Sequence, residues 1–245
     1  MLTANKTVVL NKIGQGLKKD LVGYWPLDEA SGTRRDLSGN ELTLTDNNTV
    51  TGTDGPSRKL PLASQFTVAN SEYLSRADET KLRAAATGLT LAIWVKHDGA
   101  FPGAGGYQNP IAKTDAGAAR EYEVQWNGDN NRFIFITTED GSTLKTAGFP
   151  LAPTADAYHL LVAWWSGTQL FAQQDGGVVT SGSATTSIYG STNALLLGSN
   201  TGTSQFWPGG MAGFGKWDRA LTAQERLYLY NGGIGRGFSL NQGFL

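Results

Sequence analysis

Apolar and polar residues alternate with period two along most of this chain. Leu89, Leu91, Ile93 and Val95 fall on one face of a strand, and Thr90, Ala92, Trp94 and Lys96 fall on the other. Leu21 to Leu27 reads as a second strand. Successive side chains point to opposite faces, so Tyr24 and Trp25 must leave it in opposite directions. Leu42 and Leu44 alternate with Thr43 and Thr45, and Phe133 and Phe135 with Ile134 and Ile136. Segments 66–76, 110–113, 120–126, 159–165, 169–174 and 195–198 carry further short apolar runs. Turn chemistry separates them at 28–32, 36–40, Asp140-Gly141 and Asp175-Gly176-Gly177, whereas 46–65, 98–108 and 206–210 read as loops. The period changes only near the end. Thr222 and Glu225 have the spacing of a capping box, Leu221 can staple the turn, Leu227 and Tyr230 make an inward face, and Asn231-Gly232-Gly233 stops the helix. The pattern predicts an all-β, two-sheet antiparallel β-sandwich with one short C-terminal helix at about 222–231. It divides the chain into an N-terminal arm, 1–20, and one domain, 21–245.

Composition narrows the function. The chain has 245 residues, 40% hydrophobic and 17% charged, enough apolar surface for a core. A net charge of −1 with no basic block excludes the electrostatic footprint of a nucleic-acid binder. With no cysteine and two histidines, His97 and His159, there is no disulfide framework and no thiolate or His-rich metal centre. The longest apolar run, Leu160 to Trp165, has a strand's length, so no membrane insertion is expected. Residues 1–20 carry no secretory signal pattern, only Val8-Val9-Leu10 between Lys6 and Lys12.

Three stretches carry a resemblance: Tyr24-Trp25 with Asp28-Glu29 and the 36–40 turn; QFTVANSEYLSRAD at 65–78; and Arg219-Ala220-Leu221-Thr222 with Glu225 and LYLYNGG. Together they resemble the laminin-G-like jelly rolls of the concanavalin A-like lectin/glucanase superfamily, of the kind found in bacteriophage structural proteins. The resemblance covers about 21–233 and implies a jelly roll with Greek-key connections. It further implies a virion-surface location, with the protein made in the host cytoplasm, or an extracellular one reached by another route. The arm, through Val8-Val9-Leu10, would then pair with capsid or tail subunits by strand addition.

Candidate chemistry follows. Glucanases of the superfamily set carboxylates along one strand face; here Glu121, Glu123 and Gln125 share a face, and the third position is an amide that cannot relay a proton. The expectation is a non-enzymatic strand with a polar outer face and a structural His159. A structural calcium ion is implied by the resemblance, with Asp28, Glu29, Asp36 and Asn40 as oxygen donors, although Ala212-Gly213 stands where the family carries an Asp-Glu pair. For a glycan, the loop aromatics Trp207, Tyr107 and Tyr189 offer stacking faces, and Asn127, Asp129, Asn130 and Asn131 offer hydrogen bonds. Trp164 and Trp165 send one ring to each face of their strand, one into the core and one onto the open sheet, and Trp165 is taken as the ligand candidate of the pair. The expected function is lectin-like adhesion to a glycan or cell surface. A glucanase-type glycoside hydrolase and a purely structural virion component are the alternatives.

Overall fold

The computed structural model describes residues 12–115, 118–150, 152–239 and 243–244. In them the alternating segments form two antiparallel sheets packed face to face. The first orders β13 (Val179–Ala184), β12 (Gln169–Gln174), β11 (Tyr158–Trp165), β6 (Leu89–His97), β15 (Gly209–Trp217), β4 (Leu60–Phe66) and β3 (Thr51–Ser57), with β1 (Leu21–Trp25) also paired to β15. The second orders β10 (Leu144–Gly148), β9 (Arg132–Thr138), β8 (Ala118–Asn127), β7 (Tyr107–Asp115), β14 (Leu195–Leu197), β5 (Tyr73–Arg76) and β2 (Thr45–Asn47). The chain passes repeatedly between layers, as from β5 to β6, which is how a jelly roll is wound.

The main core lies between the sheets. Leu89, Leu91, Ile93 and Val95 meet Val124, Trp126, Phe133 and Phe135 there. Each such side chain removed from water contributes roughly 1.5–3 kcal/mol. Trp25 enters this core, stacked on Phe214 at 5.0 Å, and its indole N–H donates to Leu42 O at 2.6 Å. Tyr24 leaves on the opposite face, as strand alternation requires.

That opposite face carries a second core. Tyr24, Trp94, Leu160, Val162, Trp164 and Trp217 pack against Leu221, Tyr228 and Leu229 around the C-terminal helix, Ala223–Tyr230. The expected capping box is present: Thr222 Oγ1 accepts from Glu225 N–H at 3.2 Å, and Glu225 Oε2 accepts from Thr222 N–H at 2.8 Å. Leu227, expected on the inward face, is 51% exposed. The Arg226 guanidinium takes up the contact instead, 4.1 Å from the Trp164 ring centroid and bonded to Gln173 Oε1 at 2.8 Å.

Two sequence readings change. Residues 46–65 contain β2, β3 and β4 rather than loop. β3 is an edge strand, where Gly55 and Pro56 are tolerated at an irregular register and no apolar alternation is needed. Residues 12–20, assigned to the arm, also belong to the packed structure. Residues 12–16 are helical, Leu17 is fully buried, and its carbonyl accepts from Trp217 Nε1–H at 2.7 Å. Val8-Val9-Leu10 lies outside the described residues.

Candidate functional site

The two tryptophans expected at the surface are core residues. Trp207 is fully buried, with His97 and Phe133 ring centroids at 5.2 and 5.8 Å. Its backbone N–H donates to Gly198 O at 2.9 Å, which folds the 199–208 loop inward over the sandwich end. Trp165 is 2% exposed and donates from Nε1 to Thr185 O at 2.9 Å. Trp164, on the other face, lies beneath Arg226, so that sheet face is covered rather than open.

Tyr107, Asn127, Asp129 and Asn130 do come together, at one end of the β7–β8 hairpin. Their polar atoms engage one another. The Tyr107 hydroxyl donates to Asp129, whose Oδ1 also accepts from Gly105 N–H at 2.8 Å. These bonds hold the Asp129 carboxyl below the usual carboxylate range. Asn127 Oδ1 accepts from both nitrogens of Asn130 at 3.1 Å. Gly128 sits so close to Gly103 that a Cβ would lie 1.9 Å from its carbonyl oxygen. The set ties two loops together.

The oxygens proposed for calcium each have protein donors or cations beside them. Asp36 accepts from Tyr24 N–H and Ser38 N–H through Oδ1, and from Ser38 Oγ and Leu42 N–H through Oδ2, all within 3.1 Å. Asp28 and Glu29 face Arg35 at 2.9 and 3.0 Å, and Asn40 Oδ1 accepts from Lys81 Nζ at 2.8 Å. Among the described residues no three His, Asp or Glu side chains group in metal-holding geometry. Asp36 fastens the 36–42 turn to β1. Asp36→Ala is expected to cost about 1–3 kcal/mol, because it strips an ionised acceptor from several donors. The loss should be equal in calcium and in chelator by thermal denaturation; a chelator that destabilised the unsubstituted chain would contradict this.

The strand expected to show a polar outer face is buried. Glu121 and Glu123 are fully buried and Gln125 is 8% exposed, because segments 78–84, 191–193 and 205 close over them. The two glutamates share no partner. Glu121 accepts from Ala84 N–H at 2.6 Å and Ser191 N–H at 3.1 Å and pairs with Lys113 Nζ at 3.1 Å. Glu123 pairs with Arg120 and accepts from Asn109 Nδ2 at 2.8 Å. Burial pushes both carboxyls up, against the opposing pull of Lys113 and Arg120. β8 therefore presents no nucleophile and acid pair of the glucanase type to a substrate. His159 is structural, its Nδ1 2.6 Å from Asp175 Oδ2.

Sequence reasoning missed the outer face of the second sheet. The register places Ser75, Leu196, Ala112, Glu123, Ile136 and Thr146 in one cross-sheet row. Its apolar members belong to neither core cluster. At the β5–β14–β7 end of this row lies a cleft of about 390 Å³, lined by Tyr73, Ser75, Thr114, Asp115, Asn193 and Leu196 among others. That volume lies within the range of small-ligand sites. Tyr73 is held by the 201–203 turn, where a Cβ on Gly202 would lie 2.9 Å from Tyr73 Cζ. Asn193 is fixed by its carbonyl, which accepts from Lys113 Nζ at 2.7 Å, and by Nδ2, which donates to Ala119 O at 3.0 Å. Thr114 is 4% exposed, and its Oγ1 has no hydrogen-bond partner. A buried hydroxyl so left costs about 1–3 kcal/mol. A second groove of about 510 Å³, beside Asp28, Thr51, Thr53 and Leu62, has no aromatic wall.

The two antiparallel sheets, with the main core between them, define the β-sandwich jelly-roll class of domain. Residues 68–225 match the model of the concanavalin A-like lectin/glucanases superfamily, and the chain belongs to it. Among curated proteins none matches. Similar solved structures include the binding domain of Paraclostridial Mosquitocidal Protein 1, with a TM-score of 0.70 at 12% identity over 88% of this chain and 53% of that one. The binding domain of Botulinum Neurotoxin DC in complex with SialylT gives 0.66 at 10%, over 88% and 52%. The Botulinum neurotoxin serotype D ligand binding domain in complex with N-acetylneuraminic acid gives 0.66 at 7%, over 90% and 52%. The chain thus spans about half the length of these structures. They are bacterial toxin binding domains rather than phage structural proteins, which overturns the narrower resemblance drawn from the sequence. At such identities the likeness speaks for the fold.

Proposed function

We propose that this domain is a glycan-binding module for cell-surface carbohydrate, and that its site is the cleft on the outer face of the second sheet. The observation that carries the reading is a cleft lined both by Tyr73 and by Thr114, whose buried hydroxyl has no hydrogen-bond partner. A pyranose has a C–H face that stacks on an aromatic or aliphatic side chain, and hydroxyls that satisfy such a group. Tyr73 and Leu196 supply the first kind of surface; Thr114 and Asn193 supply the second. The toxin domains solved with sialic-acid-type ligands lend support through their shared fold.

Tyr73→Ala is expected to weaken glycan binding by about 1–3 kcal/mol if the ring is an anchor. Thr114→Val keeps the side-chain volume and removes an unsatisfied hydroxyl. It should leave the melting temperature unchanged or raise it, while weakening binding. Calorimetry with a glycan selected from an array, alongside thermal denaturation, measures both. Unchanged affinity in the two variants would remove the site from this cleft.

A further inference from the structure

We infer a second binding site, on the outer side of the first sheet, for an acidic saccharide: a ligand that joins a carboxylate or sulfate to the C–H face of a sugar ring. It is independent of the Thr114 cleft. A hollow of about 220 Å³ lies beside the second core, at the turn between β3 and β4, and Arg35, Leu37, Lys59, Pro61, Leu62 and Phe238 are among its walls. It shares Asp28 and Leu62 with the groove of about 510 Å³ along β3, so the two adjoin. The hollow carries surplus positive charge. Asp28 is the one acid among its described lining residues, and Arg35 meets it at 2.9 Å while also pairing with Glu29 at 3.0 Å. Glu29 in turn lies 3.8 Å from the buried Arg34. Two acids and two guanidiniums thus balance, and Lys59 is left over. Neither Lys59 nor its neighbour Arg58 makes an ion pair among the described residues, and both are exposed. The residues outside that set contain no Asp or Glu. The turn that presents Lys59 is fixed in place. Ser57 Oγ accepts from Lys59 N–H at 3.0 Å and donates to Ile234 O, and a Cβ on Gly237 would lie 3.2 Å from Lys59 O. An anion bonds to an ammonium more strongly than a neutral hydroxyl does. Pro61 and Leu62, the latter 46% exposed, offer the apolar wall for a ring's C–H face, and Thr51 and Thr53 in the adjoining groove offer partners for further hydroxyls. A cation at one end and an apolar wall leading into a hydroxyl-lined groove together fit an acidic sugar.

The test is a chemical-shift titration of the full chain with glucuronic acid, glucose 6-sulfate, glucose and acetate at low ionic strength. The two acidic sugars should shift the amides of 59–62 and 237–238, and glucose and acetate should bind more weakly than either. Lys59→Ala should raise the Kd of both acidic sugars about fivefold or more, as the loss of one exposed charge contact allows. Lys59→Glu should abolish their binding, and added salt should weaken it in the unsubstituted chain. Arg58→Ala, one residue outside the lining, should have a smaller effect, and Thr114→Val none. Equal loss in Arg58→Ala and Lys59→Ala would reduce the effect to general surface charge and overturn the site. Glucose binding as well as glucuronic acid, or acetate as well as either acidic sugar, would overturn it too. So would vesicles of anionic phospholipid bound through Lys59 with no response to the sugars. None of these results bears on the Thr114 cleft, whose failure is read from Thr114→Val and Tyr73→Ala alone.

Discussion

Replacing Lys113 by methionine is expected to destabilise the domain by about 3–5 kcal/mol, the cost of leaving buried charge without its partner. Lys113 is fully buried, and its ammonium joins Asp78, Glu121, Ser191 O and Asn193 O at 2.7–3.1 Å. Methionine fills the volume but leaves the fully buried Glu121 facing Asp78 with no cation between them. Asp78 retains Arg83, whose hydrogen bond is the main cause of its depressed carboxyl. Glu121 retains only backbone N–H donors. The deficit should depend on pH in a defined direction. Burial already raises the Glu121 carboxyl, and loss of Lys113 raises it further. A group raised on folding stabilises the fold below its unfolded value and loses that contribution as pH rises through its folded value. The Lys113→Met deficit should therefore be largest at neutral pH and shrink toward about pH 4, the unperturbed glutamate range. Urea denaturation at both pH values measures it, and a deficit independent of pH would show that Glu121 is not the orphaned group. Because Lys113 also holds the 191–193 segment, the variant should weaken glycan binding as well.

Trp207→Ala is expected to cost about 3–5 kcal/mol, through lost burial and the cavity left behind. Trp207 lies against His97, Phe101 and Phe133 at one end of the sandwich, where close packing leaves little room for collapse. Its Nε1 has no hydrogen-bond partner, so Trp207→Phe removes an unsatisfied donor along with the volume and should cost less than alanine. Thermal denaturation ranks the two. Neither should change glycan affinity, since Trp207 is absent from the cleft lining. A binding loss without a stability loss would return Trp207 to the role first expected of it.

The residues of the cleft explain why the site was harder to read than the fold. Tyr73 lies within a stretch whose resemblance was visible, but a tyrosine beginning a short strand is unremarked until β14 is inserted beside it. Thr114 lies near the end of β7 and Asn193 precedes β14, far apart in the chain, and nothing local marks a threonine as lacking a partner. The loop set around Asp129 shows the converse. Asn and Asp in turns look like ligand donors in sequence, yet such residues most readily bond their own backbone and neighbours.

Sequence alone determined what depends on neighbours in the chain: the period-two strands, the opposite exits of Tyr24 and Trp25, the capping box at Thr222 and Glu225, and the amide that replaces a third carboxylate at Gln125. These follow from backbone geometry and side-chain chemistry, which act over a few residues. Tertiary structure alone decided which face of each sheet is covered. Alternation says that a strand has two faces, but not which one another element will cover. The helix at 223–230 and the helical turn and bend at 12–20 sealed the first sheet. Segments 78–84 and 191–193 buried Glu121 with Lys113, and the insertion of β14 between β5 and β7 brought the cleft together. Burial is a property of long-range packing, so charge, exposure and unsatisfied bonding at these positions emerge only once the layers are assembled.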